Sequence, residues 1–161
     1  MEKLEETFIK IYDLYADDCL RLAVSFTKSL ADAEDIVQKV FIKLYSELNN
    51  NLSRTYNKSW LLKVTANESK NFLKHSWHKR IIFHNELLEN KEGSNIHIDE
   101  ISEYLLKLPE KYRIVIYLYY YEGYKIKEIA EILSLNEENV RTRLRRGKEK
   151  MKIILGGVKI C

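Results

Sequence analysis

Proline and glycine are scarce in this sequence, with one proline and five glycines in 161 residues. That excludes a many-stranded β fold built on glycine turns, and a Pro/Gly/Ser-rich disordered chain. Cysteine is scarce too: Cys19 falls inside a helical pattern and Cys161 is the last residue, so neither a disulfide framework nor a metal-ligand spacing is present. No apolar run approaches the roughly 18 residues of a membrane helix. Glu2, Glu5 and Glu6 stand where a signal peptide carries a basic start and an apolar core. The expectation is a cytoplasmic protein with no membrane insertion of its own. What is present, 45% hydrophobic and 32% charged residues, suits an all-α fold of one domain or two small ones. A large multi-domain enzyme is excluded.

The net charge of +3 is a sum of large opposed terms. Residues 1–53 carry 6 basic and 10 acidic side chains, and residues 54–80 carry 7 and 1. Residues 81–140 carry 6 and 12, and residues 141–152 again 7 and 1. Two basic segments on an otherwise acidic chain are either two solvated helix faces or two contacts with a polyanion. What decides between them is whether each segment lies on an element that fits a nucleic-acid groove.

Periodicity places the helices. Phe8, Ile11, Tyr12, Tyr15, Cys19, Leu22, Ala23 and Phe26 mark a first helix ending near Ser29. Asp32 is the expected N-cap of a second, amphipathic helix through Leu48, with Ala33, Ile36, Val37, Val40, Phe41, Leu44 and Tyr45 at spacings of three and four. The polar stretch 49–57 is a loop, and Ser59 is the expected cap of a third helix reaching about Trp77. The pattern decays over 81–98, which reads as a linker between a domain at 1–80 and another at 99–161. Asp99 is expected to start a helix there, and Pro109 to open the next, which breaks at Glu122-Gly123. A short helix, the turn Ser134-Leu135-Asn136 and a basic helix then make a helix-turn-helix.

In the last helix Val140, Leu144, Gly147 and Met151 face inward and leave Arg141, Thr142, Arg145 and Arg146 outward. Arginine can take guanine O6 and N7 together, and threonine can meet a thymine methyl. Arg143, Lys148, Lys150 and Lys152 fall towards the sugar-phosphate rails, where they give affinity without sequence information. Ser134 occupies a turn position that often needs a left-handed backbone and glycine. In the third helix Lys63, Asn67, Lys70, Asn71, Lys74 and His78 form one donor stripe suited to phosphate and opened bases. Beside it, Asn50, Arg54 and Tyr56 in the 49–57 loop are candidates for holding an unstacked base. Trp60 suits base stacking or the core. On the second helix Asp35, Gln38, Lys39 and Ile42 form a mixed stripe that is either ordinary surface or a seat for a partner helix.

Catalysis finds no support. Glu34-Asp35 and Asp17-Asp18 diverge around their helices, no glycine-rich phosphate loop exists, and no ligand completes a metal site with His75 and His78. Neither a metal nor a cofactor is expected. A free-standing helix-turn-helix regulator stays open at this point, as does a nuclease, which would require converging carboxylates.

Four blocks carry a resemblance: residues 33–44 (AEDIVQKVFIKL), 59–67 (SWLLKVTAN), 108–113 (LPEKYR) and 128–130 (EIA) with 140–144 (VRTRL). In this order they closely resemble bacterial RNA polymerase sigma factors of the extracytoplasmic-function (ECF) type, over roughly residues 8–155. The resemblance implies two helical domains, σ2 and σ4, and no room for the extra domains of housekeeping sigma factors. It implies a specificity subunit with no active site, partnered by the β′ and β subunits of core polymerase, promoter DNA and an anti-sigma factor. It places Asp35, Gln38, Lys39, Phe41, Ile42 and Leu44 in the part that docks on the β′ coiled coil. Asn50, Arg54, Tyr56, Lys63, Asn67, Lys70, Asn71 and Lys74 match the parts that recognise and melt the −10 element. Arg141, Thr142, Arg145 and Arg146 match −35 contacts, that of Arg145 varying within the family.

Overall fold

The computed structural model describes residues 2–52, 55–87 and 103–156, with backbone alone over 76–87. Every regular element among the described residues is helical, in two compact units, 1–90 and 91–161.

The N-terminal unit packs α1 (Glu2–Thr27), α2 (Leu30–Asn50) and α3 (Lys58–Leu87). Its core is drawn from the stripe that the periodicity selects: Leu22, Ala23 and Phe26 of α1, with Ile36, Val40, Phe41, Leu44 and Leu48 of α2, are all buried, whereas Tyr12 and Tyr45 of the same stripe are exposed. Leu61, Leu62, Val64, Ala66 and Leu73 of α3 complete it. Phe41 lies edge-on to Phe8 at 6.1 Å and to Tyr12 at 4.9 Å, geometries that aromatic quadrupoles favour.

Both helix starts differ from expectation in the same way. Lys28, with φ 59°, reverses the chain in the left-handed region, so α2 begins early. Ser29 then caps it, its hydroxyl accepting the Asp32 N–H at 3.2 Å, and Asp32 lies one turn inside the helix. Asn57, ahead of the expected Ser59, caps α3 by accepting the Trp60 N–H at 3.0 Å. At its far end α3 runs to Leu87, so residues 81–87 of the expected linker are helical. The expected helix start at Asp99 lies outside the described residues.

The C-terminal unit is built from shorter pieces: α4 (Glu103–Leu106), α5 (Glu110–Ile116), a π-helical continuation Tyr117–Tyr121, α6 (Ile126–Leu133) and α7 (Glu137–Ile154). Pro109 stands at the N-cap of α5, where a missing N–H costs nothing. The helix ends at Glu122 and the chain turns at Gly123, with φ 74°. Arg113 is buried at 2% exposure and donates from Nη1 to the Leu108 carbonyl at 2.8 Å, satisfying a backbone acceptor just ahead of α5.

Candidate nucleic-acid interface

The approach to α7 is set by backbone conformation. Ser134 adopts φ 56°, ψ 45°, the left-handed cap that glycine usually fills, and the Leu135 N–H donates to the Ala130 carbonyl at 2.9 Å. Two residues on, Asn136 caps α7 by accepting the Asn139 N–H at 2.7 Å. At the start of α6 the Lys125 N–H donates to the Glu128 carboxylate at 2.9 Å. The helix-turn-helix is therefore closed by two side chains, Glu128 and Asn136, and by a backbone bond across the left-handed turn.

Val140, Leu144, Gly147 and Met151 are buried, which fixes the rotation of α7. Arg141, Arg145 and Arg146 are consequently exposed, and Thr142 is half-buried beside them. Arg141 reaches Glu137 at 3.6 Å, an exposed pair one turn apart that contributes little to stability. Arg143 is half-buried and tethered, its Nε donating to Asn139 Oδ1 at 2.9 Å. Lys148 is half-buried, while Lys150 and Lys152 are exposed.

A group that sequence reasoning missed lies against this helix. Tyr112 of α5 has Lys111 Nζ at 5.1 Å from its ring centroid and Lys150 Nζ at 5.7 Å. Burial pushes its phenol up, but the Lys111 ammonium and the Arg146 guanidinium outweigh that and hold it below the usual tyrosine value. α5 and α7 are far apart in sequence, so no local pattern could show the cluster. The one available signal was Gly147 on the buried face of α7, where a Cβ would stand 3.0 Å from Ile116 Cγ1 and 3.2 Å from Tyr112 Cβ.

In the N-terminal unit the α3 stripe is as expected for Lys63, Asn67, Asn71 and Lys74, which are exposed along one face, with Lys70 half-buried among them. The His78 side chain and Arg54 lie outside the described residues. Asn50 is exposed at the end of α2. Tyr56 corrects its expectation as a base-holding side chain. It is only 5% exposed, packs edge-on to Trp60 at 4.9 Å and donates to Glu47 at 3.4 Å. A ring with an apolar body and a partnered hydroxyl gains more from burial than from solvent, so Tyr56 anchors the loop. Trp60 is half-buried against it.

The α2 stripe divides. Asp35, Gln38, Lys39 and Ile42 are exposed, Ile42 at 69%, whereas Phe41 and Leu44 are 3% and 0% exposed. The latter two belong to the core.

Comparison with known proteins identifies the family. Residues 11–79 match the family Sigma-70 region 2, and residues 98–151 match Sigma-70, region 4. SigV of Bacillus subtilis, an RNA polymerase sigma factor, is 32% identical over 143 residues, covering 88% of this chain and 86% of SigV. SigM of the same organism, an ECF RNA polymerase sigma factor, is 29% identical over 157 residues, covering 92% and 94%. The chain belongs to the ECF sigma factors. As an alternative sigma factor it is a non-catalytic subunit of RNA polymerase that directs transcription initiation, which sets aside the free-standing regulator and the nuclease. Its fold is shared with the sigma factor RpoE of Bartonella quintana, solved in complex with the anti-sigma factor NepR. That likeness has a TM-score of 0.72 at 17% identity, over 96% of this chain and 99% of that one. CnrH, solved with the cytosolic domain of CnrY, gives 0.66 at 20% identity, over 96% and 91%. Among the described residues of the sigma factor no helix is long and apolar enough to cross a membrane.

Proposed function

We propose that the two basic faces divide promoter recognition between them. α7 reads the −35 duplex through Arg141, Thr142, Arg145 and Arg146, with Arg143, Lys148 and Lys150 on the phosphates. Lys63, Asn67, Lys70, Asn71 and Lys74 of α3, with Asn50 at the end of α2 and Arg54, engage the −10 element and stabilise its opened strand. Tyr56 supports that loop from within. Holding unstacked bases offsets an opening cost of a few kcal/mol per step, so promoter melting needs no active site in the sigma factor itself.

Asp35, Gln38, Lys39 and Ile42 dock on the β′ coiled coil, while the C-terminal unit engages the β subunit. An exposed isoleucine flanked by polar side chains is the composition of a helix-binding patch with an apolar centre. An anti-sigma factor restrains the protein, a reading supported by the complexes of its structural neighbours RpoE and CnrH. The whole cycle takes place in the cytoplasm, with core polymerase.

The observation that carries the proposal is the buried inner stripe of α7, which leaves its guanidinium face open after a left-handed turn. The test is run-off transcription by bacterial core polymerase on sheared genomic DNA, with wild type, Arg141→Ala and Ile42→Glu. Wild type should give discrete new transcripts. Arg141→Ala should lower them by about 10- to 100-fold, the worth of one bidentate base contact. Ile42→Glu should remove them together with co-elution on core polymerase. Transcripts untouched by Arg141→Ala would refute the −35 assignment, and co-elution untouched by Ile42→Glu would refute the docking face.

A further inference from the structure

The flank of α7 that meets α5 carries more positive charge than packing requires. Lys111 comes from α5, and Arg146 and Lys150 stand one turn apart on α7. All three gather on Tyr112, whose own ring is 7% exposed. None of them forms an ion pair with a carboxylate among the described residues, although Arg141 on the same helix does. Like charges gathered on one ring repel each other. Cation–π attraction at exposed sites returns only about 0.5–1 kcal/mol per contact. An anion seated between the three would offset the repulsion of all of them.

The seam is built to hold this arrangement. With no Cβ at Gly147, α7 comes close enough to α5 for an added Cβ there to meet both Ile116 and Tyr112. That approach brings Arg146 and Lys150 to a residue of another helix. The result is a guanidinium fork and two ammonium groups on one patch above the Tyr112 ring, a donor set matching the oxygens of a phosphodiester. A recognition helix in a major groove is flanked by backbone phosphates, so a phosphodiester is the anion that this flank would meet.

We infer that Lys111, Arg146 and Lys150 form one seat for a DNA backbone phosphate, with Tyr112 as the positioning residue beneath it. The inference rests on the −35 reading of α7. It moves Arg146 from base reading to phosphate binding and adds α5 to the DNA interface.

The test uses holoenzyme reconstituted with core polymerase on a promoter duplex recovered by run-off transcription. Affinity is measured against salt for wild type, Lys111→Gln, Tyr112→Phe and Arg141→Ala. Lys111→Gln should weaken binding by about three- to tenfold on every promoter variant, and lower the slope of log affinity on log salt by about 0.9. In a scan of single neutral methylphosphonate linkages, one backbone position should weaken wild type and weaken Lys111→Gln distinctly less. Tyr112→Phe should blunt the response at that same position. An unchanged slope with no such position, while Arg141→Ala still loses affinity, would overturn the seat and leave the −35 reading standing. Lys111→Gln that spares DNA but weakens core polymerase would overturn it too, and assign the cluster to an acidic protein face. If Arg141→Ala and Lys111→Gln both leave DNA binding unchanged, the −35 reading and the seat fail together.

Discussion

The two units solve the same problem, burying an apolar stripe of helices, with different means. The N-terminal unit uses helices of 26, 21 and 30 residues. Its core is aliphatic and aromatic, and its junctions are made by Ser29 and Asn57. In the C-terminal unit α4, α5 and α6 have 4, 7 and 8 residues, and helices that short are marginal without help. The help comes from special positions: buried Arg113 on a carbonyl, a π-helical stretch, left-handed Ser134 and Gly147 at the α5–α7 seam. Long amphipathic helices tolerate changes between core positions, whereas short ones depend on individual backbone and packing sites. The difference teaches where each unit is vulnerable.

The largest test of this contrast compares neighbours in α2. Phe41→Ala should destabilise the N-terminal unit by about 3–5 kcal/mol, because it removes a buried ring from between α1 and α2. Ile42→Glu, one residue on and exposed, should leave the melting temperature within a degree or two while removing polymerase docking. Chemical denaturation of both variants reads the difference directly.

Next in size is Gly147→Val. Its methyl groups would enter a space where even a Cβ meets Ile116 and Tyr112, and should cost the C-terminal unit about 1–3 kcal/mol. Amide exchange should quicken over 103–156 and not over 2–52, and equal quickening in both units would break the comparison.

A pH effect from a buried thiol should appear in the N-terminal unit. Burial pushes the Cys19 thiol up to about 12, opposed by a Thr65 hydrogen bond and Lys58, with Asp18 adding to the rise. The folded state therefore keeps a proton that the unfolded thiol releases above about 9. Stability from this group is full below pH 9 and falls as pH rises towards 12, by up to about 1.4 kcal/mol per unit. Urea unfolding at pH 8 and pH 10 should show that loss in wild type and a shallower one in Cys19→Ala.

The smallest effects sharpen the contrast by symmetry. Lys28 and Ser134 are the non-glycine residues with positive φ among the described residues, one in each unit. Glycine at either should stabilise its own unit by about 0.5–1 kcal/mol, read by the same exchange experiment.

Much of the molecule was legible in the chain itself. The 3.6-residue period selected the cores of α1, α2 and α7, because one face of a helix must leave water whatever it packs against. The charge blocks located both basic faces, since a helix that buries one stripe must expose the opposite one. Phe41, Leu44 and Tyr56 were harder. Each belongs to a stretch that the resemblance marks as functional, and only packing shows that its side chain is buried.

Sequence alone determined the all-α class, the helix-turn-helix and the outward guanidinium face, all of which follow from local spacing and charge. Tertiary structure decided which residue caps each helix, because a left-handed residue such as Lys28 shifts the start by several positions. It decided which members of a functional stripe reach solvent. It alone brought Lys111 and Tyr112 to Arg146 and Lys150, since residues distant in the chain become neighbours only when two helices close on a missing Cβ.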